Sequence, residues 1–139
     1  MSMLQLRYSV PGDDFTRAGE ASGDVKHKLK KLGYNPSAIR RVSIAMYEGE
    51  INMVIHAEGG RITVEISPSE IIMTLADKGP GIADIDKAMQ AGYSTAPDNV
   101  RSLGFGAGMG LPNMKKYTDE MQITTELGVG TTVVMKVYL

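Results

Sequence analysis

The chain contains no cysteine, which excludes disulfide staples, thiolate nucleophiles and zinc sites built on sulfur. It has no apolar run behind a basic N-terminal start, and nowhere do its 139 residues approach the roughly 18 consecutive apolar positions of a membrane-spanning helix. Secretion and membrane spanning are both disfavoured, and cytoplasmic residence is the expectation. Net charge is nearly absent as well: 15 Lys and Arg stand against 16 Asp and Glu, a formal balance of -1. Broad nucleic-acid binding needs concentrated positive charge, so no nucleic-acid partner is expected. Internal repeats and detachable linkers are also missing. A hydrophobic fraction of 42% with 22% charged residues then fits one soluble domain spanning 1–139.

Glycine is what the chain has in a telling place. The run LGFGAGMGLPNMKK puts glycines at 104, 106, 108 and 110 directly before a helix-like segment, Leu111 to Thr118. Such a run can bend around phosphates, and a helix start offers unpaired N–H groups and a positive end. It lacks the terminal G-K-[ST] of a Walker A loop. Its mechanical reading is a mobile lid, with Gly108, Met109, Gly110 and Leu111 leading into the helix start.

The remaining pattern gives a strand over Leu4 to Val10 and a helix from Asp13 to Gly33. Asn35-Pro36 starts a second helix with the stripes Ile39, Val42, Met46, Met53 and Ile44, Ile51, Ile55, closed by Gly59-Gly60. Strands follow at Arg61 to Ser67 and Glu70 to Ala76, a short helix near Ile85 to Met89, and strands at Glu120 to Glu126 and Thr131 to Tyr138. This predicts a sheet of four or five strands, mostly antiparallel, with helices on one face.

Glu48 and Asn52 stand four positions apart, so they share a helix face. A carboxylate there can take a proton from a hydroxyl, and a neutral amide oxygen can ligate Mg²⁺. Glu50 points about 160° away from Glu48 and reads as a solvated charge or a supporting group. His56 reads as an acid/base candidate or as a helix-end cap. Asp77 follows an apolar strand and precedes Gly79, Pro80 and Gly81, which suits a carboxylate facing an exocyclic amine beside a flat ring; it also suits a plain Asx turn. Arg101, inside the glycine segment, can reach a terminal phosphate or sit on the surface. Lys115 and Lys116 read as surface charges, while Met89 and Met109 are candidates to line an adenine pocket. Lys26, Lys28, Lys30 and Lys31, with Arg40 and Arg41, form a basic stretch that is either a solvated helix face or a surface for a partner.

Together these segments resemble the GHKL ATPase superfamily, specifically the bacterial anti-sigma-factor and switch serine-protein kinase group of the RsbT, RsbW and SpoIIAB type. YEGEIN, Tyr47 to Asn52, resembles that family's N box, which implies Glu48 as catalytic base and Asn52 as Mg²⁺ ligand. DKGPGI resembles its first glycine box, implying that Asp77 recognises the adenine amine while Gly79 and Gly81 shape the pocket. The run through Gly104, Gly106, Gly108 and Gly110 resembles the second glycine box, and Thr131 with Thr132 resembles the GTT near the base. The segments AMQAGYST and GFGAGMGLPNMKKYTDE are most similar to the RsbT-type kinases. The departures are Gly49 and Glu50 between base and metal ligand, and Lys78 in the first glycine box.

The resemblance implies a Bergerat-type α/β two-layer sandwich that binds ATP and Mg²⁺. It implies phosphorylation of a serine on a small STAS-domain partner, with weak intrinsic ATP hydrolysis. The alternative is a nucleotide-regulated anti-sigma factor that binds a sigma factor or its antagonist with little phosphotransfer. A homodimer through the N-terminal strand and helix is compatible with either.

Overall fold

The computed structural model describes residues 4–12, 17–89 and 110–139. In chain order the elements are β1 (Leu4–Pro11), α1 (Glu20–Lys31), α2 (Pro36–His56), β2 (Gly59–Ile66), β3 (Glu70–Asp77), α3 (Ile85–Ala88), α4 (Gly110–Lys116), β4 (Glu120–Glu126) and β5 (Gly130–Tyr138). The strands form one sheet in the order β1-β2-β3-β5-β4, and each of its four pairings is antiparallel. The expected mostly antiparallel sheet is therefore present, with β5 inserted between β3 and β4.

Strand pleating decides which residues meet the helices. On β2 and β3 the buried positions alternate as Ile62, Val64, Ile66 and Ile71, Met73, Leu75; on β5 they are Thr131, Val133, Met135 and Val137. The intervening residues form cross-strand rows such as Arg7–Thr63–Thr74–Val134–Gln122 on the opposite face. That face is mostly polar, so it tolerates water, while the apolar face needs a helical layer. Each Val, Ile, Leu or Met fully buried there contributes about 1.5–3 kcal/mol.

α2 is the centre of that layer. Asn35 caps it by accepting the Ser37 N–H at 2.8 Å, and Pro36 sits in its first turn, where a missing N–H costs nothing. Its stripe Ile39, Val42, Met46 and Met53 is buried with Val25 and Leu29 of α1 and Leu111 and Met114 of α4. Of the second stripe only Ile51 is fully buried. α2 rests on the sheet with α1 and α4 both packed against it, which explains apolar residues on more than one side.

Three expected boundaries move. α2 ends at His56, and Gly59-Gly60 open β2 instead of closing the helix; Gly60 lies opposite Asp77 in the β2–β3 ladder. Asp77 is the last strand residue and not the first of the loop. α1 begins at Glu20, not Asp13, because Gly19 precedes it in a left-handed conformation with φ 96°; residues 13–16 lie outside the described set.

Candidate functional site

α4 runs antiparallel along α2, and the pairing is readable residue by residue. Gly110 packs on Asn52: a Cβ there would come within 2.8 Å and 2.9 Å of its amide nitrogen and oxygen. One turn back along α2, Glu48 Oε1 accepts a hydrogen bond from Asn113 Nδ2 at 3.3 Å. Asn52 Nδ2 contacts Met114 Sδ at 3.9 Å, so its amide nitrogen faces the thioether. Among the described residues Glu48 has no cation partner, and the group that meets its carboxylate is a neutral amide. Asn113 was not singled out from the sequence, although it lies inside the quoted GLPNMKK run.

Gly49 explains how α2 comes this close. A Cβ on it would lie 2.3 Å from Leu75 Cδ2 and 3.3 Å from Met114 Cε. Its helix-loosening effect, up to about 1 kcal/mol against Ala, is offset by direct packing on β3 and α4. Gly49→Val is expected to lower unfolding free energy by about 1–3 kcal/mol through overpacking, measured by urea denaturation. A neutral result would mean that α2 does not bear on Leu75 as described.

The second part of the site is at the end of β3. Asp77 Oδ1 accepts the Thr131 N–H at 2.9 Å, and Gly130 passes so near that a Cβ would sit 2.2 Å from the Asp77 carbonyl oxygen. The DKGPGI loop is braced on the β4–β5 turn: Gly79 N–H donates to the Val129 carbonyl at 3.2 Å, Gly128 N–H to that of Pro80 at 2.9 Å, and Ile82 N–H to Thr125 Oγ1 at 2.8 Å. Thr125 Oγ1 lies 2.9 Å from Thr131 Oγ1, which makes Thr125 a further residue of this wall that the sequence did not reveal. Gly81, at φ 78°, lies against Glu126. Met89 and Ile82 are partly buried against the core.

Burial pushes the Asp77 carboxyl above its ordinary range, and the Thr131 N–H pulls it partly back. A carboxyl with a raised folded-state value stabilises the fold below its unfolded value and loses that contribution as pH rises through the folded one. At neutral pH the ionised group is thus a cost to the fold. Asp77→Asn, which keeps an oxygen for Thr131, is expected to melt higher than the parent at pH 7, with the gain shrinking as pH falls from the raised folded-state value toward the ordinary Asp value. Calorimetry across pH checks this; a variant that melts lower at pH 7 would contradict it.

Of the two sequence readings of Glu50, solvated charge or supporting group, the first is excluded. The residue is 2% exposed. Its oxygens accept the backbone N–H groups of Gly19, Ala21 and Ser22 at 3.0, 3.1 and 2.9 Å. α1 has no side-chain cap of its own, so a carboxylate from α2 fills that role and favours the positive helix end. Glu48 and Glu50 point to opposite sides of α2, one to α4 and the other to α1.

Thr132 is a correction to the sequence reading: pleating sends it to the open face with Ala76 and Thr124, away from Thr131 and Asp77. Leu111 is a core residue. Lys28 pairs with Asp24, and Arg41 with Asp119 at 2.8 Å, while Lys26, Lys30, Lys31 and Arg40 are exposed. Arg101, Gly104, Gly106, Gly108 and Met109, and the side chain of His56, lie outside the described residues.

The donor set beside α2 suits a hydrated divalent cation in its chemistry. Asn52 offers a neutral oxygen ligand of the kind Mg²⁺ accepts, and Gly110 lets α4 pack directly on that amide, where a Cβ would collide at 2.8–2.9 Å. Among the described residues there is no cluster of three or more His, Cys, Asp and Glu that would hold a metal alone. No described helix is long and apolar enough to cross a membrane.

Residues 38–139 match the family described as histidine kinase-, DNA gyrase B- and HSP90-like ATPase. The chain is 36% identical over 104 residues to an anti-sigma F factor of Clostridium beijerinckii, covering 70% of this chain and 69% of that protein. It is 32% identical over 110 residues to the serine/threonine-protein kinase RsbT of Bacillus subtilis, covering 76% and 77%. Among solved structures, the RsbU and RsbW domains of Rv1364c from Mycobacterium tuberculosis share the fold at a TM-score of 0.60 and 16% identity; the match covers 99% of this chain but 32% of that one.

Proposed function

Because the chain belongs to the histidine kinase-, DNA gyrase B- and HSP90-like ATPase family and is related within it to anti-sigma factors and RsbT, we propose that it binds Mg-ATP and phosphorylates a serine of a small STAS-domain partner. The observation that carries the reading is the Glu48 carboxylate, held by a neutral amide one helical turn from Asn52.

In this reading Asp77 accepts the adenine amine, with Gly79, Gly81 and Thr131 holding the carboxylate and its loop in place. Asn52 holds the cation through its amide oxygen. Mg²⁺, when bound, neutralises charge on the β- and γ-phosphate oxygens. Glu48 orients the incoming serine hydroxyl and takes its proton as the oxygen bonds to the γ-phosphorus and the bond to ADP breaks. Asn113 keeps the Glu48 carboxylate turned toward the α2–α4 seam. The expected setting is the cytoplasm. Self-association through β1 and α1 is compatible, since β1 is an edge strand.

The test is incubation with Mg-ATP labelled at the γ position and the STAS-domain proteins of the same genome, beside a Glu48→Ala control. Label on a partner serine that vanishes in the control is the expected result. Tight sigma-factor binding without transfer would instead favour the alternative that the name of the Clostridium relative suggests, a nucleotide-regulated anti-sigma factor. Absence of ATP binding would overturn both.

A further inference from the structure

The α2–α4 seam has a third station beyond its amide and carboxylate. Moving from Asn52–Gly110 past Glu48–Asn113, the next pairing brings the start of α2 to the end of α4. Arg41 Nε donates to the Tyr117 carbonyl at 3.3 Å, and its guanidinium pairs with Asp119 at 2.8 Å. Asp119 also accepts the Tyr138 N–H at 2.7 Å, so this end is tied to β5. Two further cations stack on the Tyr117 ring: Arg40 lies 5.5 Å and Lys116 Nζ 5.3 Å from its centroid.

Arg40, Lys115 and Lys116 are exposed, and among the described residues none is within ion-pair distance of a carboxylate. Asp119, which follows α4, is committed to Arg41. Stacking on Tyr117 restricts Arg40 and Lys116, so less side-chain freedom is lost when they meet a partner. Arg40 is eight residues before Glu48, about 12 Å along the helix axis. A folded protein that delivers a hydroxyl to Glu48 covers several hundred Å² around it, and the seam is the surface leading away from the nucleotide end.

We propose that the protein substrate docks over the Arg40–Tyr117–Lys116 end of the α2–α4 seam through an acidic surface. Its carboxylates meet the stacked cations while its acceptor serine reaches Glu48. This rests on the kinase reading above, and it assigns the orientation of the substrate: over the C-terminal end of α4, not over the β4–β5 turn beside Asp77. The basic stretch noted in the sequence then divides by function, with Arg40 a docking residue and the lysines of α1 a solvated face.

The test uses the intact chain, the STAS-domain proteins of the same genome as probes, and two double charge reversals: Arg40→Glu with Lys116→Glu at the seam, and Lys26→Glu with Lys30→Glu on α1. Binding, label transfer and ATP affinity are measured separately at low and moderate salt, with melting as the check on folding. The seam pair is expected to raise partner Kd and KM at least tenfold, with ATP affinity within twofold and a salt dependence weaker than that of the parent chain. The α1 pair is expected to change partner binding less than twofold. If the seam variant fails to fold, Arg40→Gln with Lys116→Gln is read in its place. Unchanged binding in the seam variant, or equal loss in both pairs, overturns the proposal. Binding without label transfer in the parent chain defeats the kinase reading while the two reversals still decide the docking site. Parent-chain binding to none of the probes overturns the docking proposal, whatever the ATP measurement gives.

Discussion

Glu50→Ala is expected to lower the unfolding free energy by about 3–5 kcal/mol, and to do so without touching the nucleotide. The substitution strips the acceptor from three N–H groups at the start of α1, two of them in hydrogen bonds that are fully buried. Each buried donor left unsatisfied costs about 1–3 kcal/mol. Water recovers part of this, because a cavity of about 390 Å³ between β1 and α1 is lined by Glu50 and Ala21. That recovery keeps the expected loss well below the sum of three full penalties. Glu50→Gln is expected to fare only moderately better, since one of its two ends is a donor facing donors. Urea unfolding of both variants measures the effect; a loss under 1 kcal/mol for the alanine chain would mean that α1 does not depend on α2 for its cap.

Phosphotransfer carries the other large expected effect. Glu48→Gln preserves size and can still meet Asn113, but it cannot take a proton. General-base contributions run to about 10²–10⁴-fold, so label transfer to the partner serine should fall by that factor while ATP affinity, set in this reading by Asp77 and Asn52, changes less than threefold. Single-turnover transfer with separate nucleotide titration distinguishes the two quantities. Equal losses in affinity and rate would indicate that Glu48 helps to hold the nucleotide or its cation; an undiminished rate would remove it from the chemistry.

The parts of this site that the sequence displays are those governed by local spacing. A spacing of four positions from Glu48 to Asn52 places both on one helix face whatever the tertiary structure, and the strand at Glu120–Glu126 follows from alternation and its flanking turns. The solvated-charge reading of Glu50 fails for a definable reason. Helical projection correctly turns it away from Glu48, but away from one neighbour is not toward water when a second helix lies there. The available clue was negative: Gly19 before α1 has no side chain to cap it. Thr131 and Thr132 present the same difficulty in a strand. Alternation says that they diverge, yet which one meets Asp77 depends on the side the helices occupy, and that is settled only by packing. By helix propensity Gly49 is a weak point of α2; the 2.3 Å approach that a Cβ would make to Leu75 shows why a smaller residue suits the position better than a good helix former.

The insertion of β5 between β3 and β4 sets a timetable for the nascent chain. Among the described elements β5 leaves the ribosome last, yet it supplies the N–H that orients Asp77, a residue translated 54 positions earlier. α2, β2 and β3 can emerge with Glu48, Asn52 and Asp77 all in place along the chain and still lack the strand that holds the Asp77 carboxylate. Until β5 arrives, β3 presents an open edge to chaperones and to other nascent chains. On the proposed reading, nucleotide binding would follow completion of the sheet, and a pulse of bound ATP on stalled ribosomes would date that step directly.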